Sequence, residues 1–342
     1  MGRAKTEKIV LDGYGSYLKM DKGCFVVRRK EGSEESYPAL EMDLGEINLS
    51  EGNVVTTDAL VYCGLWGVDV VFSTKFGEPI CMLKDFNDDS YVSTRISQYE
   101  ALKNGKGLRL AKAFAIGKIE GQNTVLRKYG LKENPYVTRQ IDSLLEKDLQ
   151  VLRRRILHLE GKFSQEFFRQ IYTVFPENVR PLTRVSYQAF VGLNNVFNLT
   201  YTFLKWKCYR AIVKAHLEPY LGFLHDYLRP TRPNLVCDFM ELYRYLIDDF
   251  LIDNCRNLKP SDFYPKTVYI GGRKAKRMYL KDELASDLID DLHKLFVQKV
   301  KARRIMRGNT QEVETLINEE ALLLGKYLRD ERDSWTPRVA IP

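Results

Sequence analysis

Three acidic residues and one histidine are the side chains with the clearest chemical potential in this 342-residue sequence. His225 lies in a turn-rich connection, and Asp238 and Glu241 follow it at positions i and i+3 of a predicted helix. That spacing puts both carboxylates on one helix face. One histidine and one or two such carboxylates, joined by a further acid such as Glu160, can bind a divalent metal ion and leave open positions for a substrate.

A purely structural explanation of the same residues stays open. Asp238 could be the N-cap of its helix, with Glu241 as its capping-box partner. Glu160 lies in the last turn of a long predicted helix, where a solvated surface acid is common. The spacing alone therefore does not distinguish a metal site from helix capping.

Several common catalytic motifs are absent from the sequence. It contains neither a G-x-G-x-x-G after a strand nor a G-x-x-x-x-G-K-[ST], so dinucleotide and P-loop nucleotide binding have no support. His158 and Glu160 form an H-x-E, but no P-C-x-x-C follows, which argues against a zinc deaminase. The six cysteines are scattered without the spacing of a structural zinc site, and we expect them to be reduced thiols.

The elements that must position these residues predict an α+β protein with two domains. In residues 1–84, short β-rich runs alternate with glycines and predict a small, mostly-β, sandwich-like domain. Residues 57–65 read as a short helix capped by Thr56 or Thr57, and the acidic segment 31–46 is expected to be a solvated hairpin loop and connection. A linker is predicted at residues 85–94.

From residue 95 to residue 342 the dominant period is helical, which predicts a larger, all-α domain that carries the candidate site. Leu108, Ala111, Ala115 and Ile119 form one apolar stripe. A single long helix is expected to run from Pro135 to residue 161. Further helices are predicted at residues 165–175, 194–216, 238–255, 282–301 and 311–328, and one possible hairpin at residues 267–280.

The charge is distributed unevenly between these two parts. The whole chain has 53 basic and 45 acidic residues and a net charge of +8, but the part before Ser90 carries −6 and the part after it carries +14. A basic surplus confined to one domain favours an anionic partner there, most often nucleic acid. An uneven surface without a binding role is the alternative.

Four segments in a fixed order resemble a known family. They are residues 157–162 (LHLEGK), 194–204 with Tyr201, 221–225 (LGFLH), and 235–241 (LVCDFME) with Arg244. In this order they resemble the CRISPR-associated adaptation integrase, the first-numbered Cas protein, which is also described as a metal-dependent DNA endonuclease. The likeness extends across both predicted domains.

The resemblance implies specific site residues and a reaction. It implies that Glu160, His225 and Glu241 bind Mn²⁺ or Mg²⁺, with Asp238 as a further catalytic acid. The implied reaction is strand transfer, in which the 3′-hydroxyl of a short DNA fragment attacks a phosphodiester at a repeat boundary of the CRISPR array. DNA cleavage occurs when water attacks instead.

The resemblance also implies partners. They are double-stranded or branched DNA, a second copy of the chain joined through the β domain, and the small second-numbered CRISPR-associated adaptation protein. Because fragments of many sequences must be accepted, we expect contacts to phosphate more than to bases. The candidate contacts are Arg95, Lys103, Lys106, Arg109, Lys112, Arg180, Arg184, Arg229, Arg232, Arg273, Lys274, Lys276 and Arg277.

Two rival functions remain open at this point. A stand-alone repair nuclease acting on branched DNA would use the same residues, and a non-catalytic nucleic-acid-binding scaffold would use the acids only to cap helices. Because the N-terminus is polar and no stretch is apolar for long enough to span a bilayer, we expect a cytoplasmic protein without a membrane partner.

Overall fold

The computed structural model describes residues 7–39, 44–74, 79–83, 92–186, 189–225, 232–270, 273–302, 310–337 and 340–341. The chain divides into two compact units, Met1–Ser90 and Tyr91–Pro342. A strand-rich first part followed by a larger helical part confirms the predicted α+β class.

Two four-stranded sheets and one helix form the first unit. Its elements are β1 (Glu7–Leu11), β2 (Tyr17–Asp21), β3 (Cys24–Arg28), β4 (Glu34–Pro38), β5 (Leu44–Ser50), β6 (Val54–Val55), α1 (Thr57–Trp66), β7 (Asp69–Ser73) and β8 (Pro79–Leu83). The strand orders are β1-β5-β7-β8 and β4-β3-β2-β6. Side chains from both sheets share one core with Cys63 of α1, and Thr56 is the N-cap of that helix.

The acidic segment expected to be a solvated loop contains strands, so that prediction was wrong. β4 and the start of β5 lie within residues 31–46, and β5 pairs in parallel with both β1 and β7. In β4, exposed and half-buried positions alternate, and the half-buried ones are Glu35 and Tyr37. Glu46 is 6% exposed, and its Oε2 lies 3.9 Å from Nζ of Lys8. The high acidic content of this segment therefore suggested a loop, although its exposed and half-buried positions alternate with the two-residue period of a strand.

The second unit is mainly helical and also holds two small sheets. Its elements are α2 (Val92–Ala101), α3 (Gly105–Lys128), α4 (Tyr136–Asp142), α5 (Leu149–Ile171), α6 (Gly192–Lys214), α7 (Asn234–Glu241), α8 (Arg244–Cys255), β9 (Phe263–Ile270), β10 (Arg273–Leu280), α9 (Asp282–Val297), β11 (Lys299–Ala302), β12 (Thr310–Glu312), α10 (Val313–Leu328) and β13 (Ala340–Ile341).

The long helix α3 lies against three elements of the site, α5, α7 and α8. Two glycines of α3 let its backbone pack closely against these neighbours. A Cβ on Gly117 would lie 2.7 Å from a methyl carbon of Leu242, and one on Gly121 would lie 2.3 Å from the ring of Tyr245. Since Gly117 and Gly121 are four residues apart, they share a face. They let α3 contact the junction of α7 and α8, and this brings Lys118 next to Glu241.

The helix predicted from Pro135 to residue 161 is in fact broken. α4 ends at Asp142, and α5 starts after Asp148, whose side chain accepts a hydrogen bond from the Val151 amide at 2.8 Å. α5 then continues through Gly161 to Ile171. Glu160 is therefore in the middle of a helix and not in its last turn. Gly161 occupies an open helix position and does not end the helix, although glycine often marks a helix end.

Further boundaries differ in the same unit. Residues 238–255 form two helices, α7 and α8, and Asp238 is inside α7. The predicted hairpin is present as β9 paired with β10. A sheet of order β12-β11-β13 was not predicted, and β11 lies where α9 was expected to continue. α2 begins inside the predicted linker, whose residues 85–91 lie outside the described ranges.

None of the described helices is long and apolar enough to cross a membrane.

Candidate metal centre

Two carboxylates from different helices converge on one ammonium group. Lys118 of α3 contacts Oε1 of Glu160 on α5, and its Nζ lies 2.8 Å from Oε2 of Glu241 on α7. The Ser164 hydroxyl donates to the same oxygen of Glu160 at 2.6 Å. Nε of Arg244 lies 2.9 Å from Oε2 of Glu241. Four elements therefore hold two acids beside a cation.

The charges in this cluster stabilise one another. Burial by itself would raise the pKa of Glu241, which is 4% exposed, but Arg244, Lys118 and His225 together lower that pKa to about 2. Burial would likewise lower the pKa of Lys118, yet Glu241 and Glu160 raise it above its ordinary value. At neutral pH Glu241 is a carboxylate and Lys118 is an ammonium. The effect of His225 shows that its ring is within electrostatic reach of Glu241.

His225 is held in one orientation by Asp238. Oδ2 of Asp238 accepts the backbone N–H groups of Phe223 and Leu224 at 2.5 and 2.9 Å. Its Oδ1 accepts the His225 backbone N–H at 2.9 Å and lies 2.7 Å from Nδ1. Because a carboxylate only accepts, Nδ1 donates in this contact, and Nε2 is the ring nitrogen that Asp238 does not contact. Asp238 is thus neither an N-cap nor placed as a metal ligand, and it positions the histidine.

A buried arginine supports the loop that carries His225. Arg153 of α5 is 3% exposed and donates through Nε to the Phe223 carbonyl and through a second nitrogen to the Gly222 carbonyl, both at 2.6 Å. A Cβ on Gly222 would lie 2.8 Å from the His225 carbonyl oxygen and 2.9 Å from the Asn234 carbonyl carbon. Sequence reasoning missed Arg153, since one arginine in a helix gives no distinct signal.

The donor set around Lys118 suits a divalent ion. Glu160 and Glu241 offer oxygen ligands and His225 offers the Nε2 nitrogen, a mixture that matches Mn²⁺ and tolerates Mg²⁺. Among the described residues, no three His, Cys, Asp or Glu side chains stand close enough together to hold a metal ion. The ammonium of Lys118 lies between the two carboxylates instead. A divalent ion bound by both carboxylates would have to take the position of that ammonium.

A second polar cluster lies beside the first. The guanidinium groups of Arg184 and Arg244 lie 5.3 and 4.8 Å from the ring centre of Tyr201, whose hydroxyl donates to Oδ1 of Asp248. Burial raises the pKa of the fully buried Asp248 to about 7, against the opposing effects of Tyr201 and the arginines. Arg244 therefore links Glu241 to this cluster. Asp248 was not identified from the sequence, because α8 contains three aspartates and the local sequence does not show that Asp248 is the buried one.

Most of the predicted DNA contacts have partners within the chain. Arg184 donates to Oδ1 of Asn198 at 2.6 Å and lies over three aromatic rings. Groups that already bind side chains or backbone carbonyls of this chain are Lys106, Arg109, Lys112, Arg180, Arg232 and Arg277.

The remaining candidates differ in exposure. Arg95 is half-buried, whereas Lys103, Lys274 and Lys276 are exposed. Arg229 and the side chain of Arg273 lie outside what the structure describes. The exposed lysines are therefore the clearest candidates for contact with an external anion.

Comparison with known proteins assigns the chain to a family. Residues 9–294 match the family described as CRISPR associated protein Cas1. CRISPR-associated endonuclease Cas1 1 of Archaeoglobus fulgidus is 30% identical over an alignment of 353 positions. The alignment covers 95% of this chain and 97% of the relative. CRISPR-associated endonuclease Cas1 2 of Pyrobaculum aerophilum is 30% identical over 251 residues, covering 70% and 80%.

Solved structures share the fold at lower identity. A casposase bound to an integration product superimposes with a TM-score of 0.74 at 18% identity, over 96% of this chain and 92% of that one. A Cas1 protein from Thermotoga maritima gives a TM-score of 0.70 at 16% identity, over 94% and 97%.

Proposed function

The chain belongs to the Cas1 family, and on that premise we propose that it is a divalent-metal-dependent DNA endonuclease and integrase of CRISPR adaptation. One observation carries the proposal. Glu160 and Glu241, from separate helices, meet at one buried cation, next to a histidine whose free ring nitrogen is fixed by Asp238. Capping does not explain this convergence, because neither acid is at a helix N-terminus.

The side chains divide into those that would hold the ion and those that prepare them. Glu160, Glu241 and Nε2 of His225 would hold Mn²⁺ or Mg²⁺. Such an ion supplies charge stabilisation for the phosphoryl oxygens and a fixed position for the attacking hydroxyl. Arg244 and Lys118 hold the pKa of Glu241 well below its ordinary value, so Glu241 is ionised at neutral pH. Lys118, displaced from between the carboxylates, remains within reach as a cation for a phosphate oxygen.

The reaction we propose is a displacement at phosphorus. The 3′-hydroxyl oxygen of a short DNA fragment forms a bond to the phosphorus at a repeat boundary, and the 3′-oxygen of the array strand leaves with a proton. With water as the nucleophile, the same displacement cuts DNA. The names of the relatives support both forms, since the A. fulgidus protein is called an endonuclease and the casposase structure contains an integration product.

The test is metal-dependent nicking of branched duplex DNA by the full-length protein. After treatment with EDTA, titration with Mn²⁺ is expected to restore cutting. Glu160→Gln, His225→Asn and Glu241→Gln are each expected to lower the rate at least 100-fold. Glu166→Gln is the matched control, because Glu166 is also on α5 but pairs with Arg169 at the surface, and this variant should keep full activity.

The outcomes separate the rival functions. Nicking that ignores metal, or full activity of any site variant, contradicts the proposed centre. A complete lack of metal-dependent nicking favours a scaffold. Cutting of branched DNA without insertion into a plasmid that carries a repeat array, even with the small second-numbered adaptation protein added, favours a repair nuclease.

We further propose that the chain works in the cytoplasm as a homodimer together with that small partner. The fold of this chain is similar to part of a chain in the solved structure of a Cas6-RT-Cas1-Cas2 complex, with a TM-score of 0.70. In the first unit, Val61, Leu65 and Trp66 of α1 are 60%, 71% and 45% exposed, and such a patch favours subunit contact. Leu65→Lys is expected to weaken the dimer in sedimentation, and an unchanged dimer would exclude this surface.

A further inference from the structure

The hairpin of β9 and β10 is a basic element of the second unit that contributes no residue to the metal centre. Residues 263–280 contain five basic and no acidic side chains. The two strands pair antiparallel from Phe263 with Leu280 to Ile270 with Arg273. A two-stranded hairpin is marginal alone, so its ability to bind a ligand depends on how its base is held.

The base of the hairpin is fixed to the start of α6. The Met278 amide donates to the Phe190 carbonyl at 3.0 Å, and the Asn195 side chain donates to the Met278 carbonyl at 2.6 Å. Arg277 donates to the Ala189 carbonyl at 2.8 Å and to Oδ1 of Asn195 at 3.0 Å. Arg277 is therefore an anchor of the hairpin, although its sequence context suggested a DNA contact.

Beyond this base, the exposed lysines lie on defined faces. Lys274 and Lys276 are two residues apart and share one face, with Thr267 opposite Lys276 in the register. Lys266 pairs with Arg277 and so lies on the other face. All three lysines are exposed, and no ion pair within the described residues involves Lys274 or Lys276. Their ammonium groups can therefore meet an external anion without breaking an internal contact.

The shape of this face favours duplex DNA over a single strand. A two-stranded ribbon fits the major groove of a duplex, whereas single strands are held largely by stacking of bases on exposed aromatic rings. On the opposite face, which carries Lys266 and Arg277, Tyr264 and Tyr279 are half-buried and lie against each other with ring centres 6.3 Å apart. That face therefore offers no open stacking platform.

We propose that this hairpin is a second DNA-binding element, in which Lys274 and Lys276 contact the phosphates of a duplex while the metal centre acts elsewhere on the DNA. This inference rests on the proposed function for the identity of the ligand. It adds a binding element on β9 and β10, whereas the residues of the metal centre belong to α3, α5, α7 and the His225 loop.

The experiment measures duplex binding by the full-length protein in EDTA, so that a failure of metal chemistry cannot imitate a failure of the hairpin. Each lysine that neutralises one phosphate contributes about 0.9 to the slope of log K against log salt concentration. Lys274→Ala and Lys276→Ala are each expected to reduce that slope by about 0.9, uniformly across DNA sequences. Lys266→Ala, on the opposite face, is the matched control and should leave the slope unchanged.

Several results would overturn the inference. They are an unchanged slope in both variants, an equal loss in Lys266→Ala, a loss seen with single strands but not with duplex, or a change in oligomeric state that accounts for the weaker binding. At saturating DNA the two variants should nick at the wild-type rate with Mn²⁺. Nicking lost at saturation would place these lysines in the catalytic centre and also contradict the inference.

Discussion

Nζ of Lys118 lies 2.8 Å from Oε2 of Glu241, and both side chains are buried. Removing one partner of such a pair typically costs about 3–5 kcal/mol, because the other charge is left buried without compensation. We therefore expect Lys118→Met to unfold at lower urea concentration in EDTA. A divalent ion that replaces the ammonium should restore more stability to Lys118→Met than to the wild type.

The measurement is urea unfolding with EDTA and with Mn²⁺, with exposed Lys103→Met as the control. That control should follow the wild type in both buffers. Equal stabilisation of Lys118→Met and wild type by Mn²⁺ would show that the lysine does not compete for the ion's position.

The contact between His225 and Asp238 leads to a different prediction. In Asp238→Asn, one side-chain oxygen becomes an N–H donor that faces backbone N–H groups or the protonated ring nitrogen. Because buried donors without acceptors each cost about 1–3 kcal/mol, we expect a loss of about 3 kcal/mol in urea unfolding, together with loss of nicking.

Asp291→Asn provides the comparison for that variant. Asp291 pairs with Lys294 at the surface, and such a pair contributes about 0–1 kcal/mol. Wild-type stability in Asp238→Asn would contradict the positioning role that the structure gives to Asp238.

The residues of this centre were predictable from the sequence to different degrees. His225 and Glu241 stand in segments that resemble those of the Cas1 family, whereas the spacing of the acids alone did not distinguish a metal site from helix capping. Lys118 sits at the border of the apolar stripe of α3, where a lysine is usually solvated. Its burial follows from the close packing at Gly117 and Gly121, which depends on tertiary contacts and not on local periodicity.

The predicted helix boundaries were wrong for a related reason. Apolar periodicity continues across residues 143–148, yet the helix is interrupted there. The side chain of Asp148 caps α5, and the Lys112 ammonium donates hydrogen bonds to the Asp142 and Leu144 carbonyls, so two separate helices are stabilised. Leu145 is 89% exposed, so the apolar pattern across this break does not mark buried positions throughout, and local sequence could not show which carbonyls a distant lysine would satisfy.

Gly222 should tolerate no side chain. An added Cβ would lie 2.8 Å from the His225 carbonyl oxygen, so Gly222→Ala must move the loop away from α7. We expect a loss of about 1–3 kcal/mol from overpacking and a large fall in nicking, measured by thermal unfolding and by the Mn²⁺-dependent assay.

Gly161→Ala is a sharp control for this substitution. It is next to Glu160 on α5, and nothing lies within 4 Å of its added Cβ. Since alanine favours a helix interior by about 1 kcal/mol over glycine, this variant should be slightly more stable and fully active. Normal activity of Gly222→Ala would mean that the position of the His225 loop does not limit the reaction.

Asp248 makes stability depend on pH. Its pKa is about 3.8 when exposed and about 7 in the folded protein, chiefly because of burial. Between these values the unfolded chain has released the proton and the folded chain has kept it, so this residue's contribution is full below pH 4 and is lost as pH rises through 7. At about 1.4 kcal/mol per pKa unit, the expected loss is about 4 kcal/mol. The test is urea unfolding of wild type and Asp248→Asn at about pH 4.5 and about pH 7.5. Relative to the wild type, the variant should have a higher unfolding free energy at the higher pH than at the lower. Parallel pH curves of the two proteins would show that Asp248 does not titrate in this range.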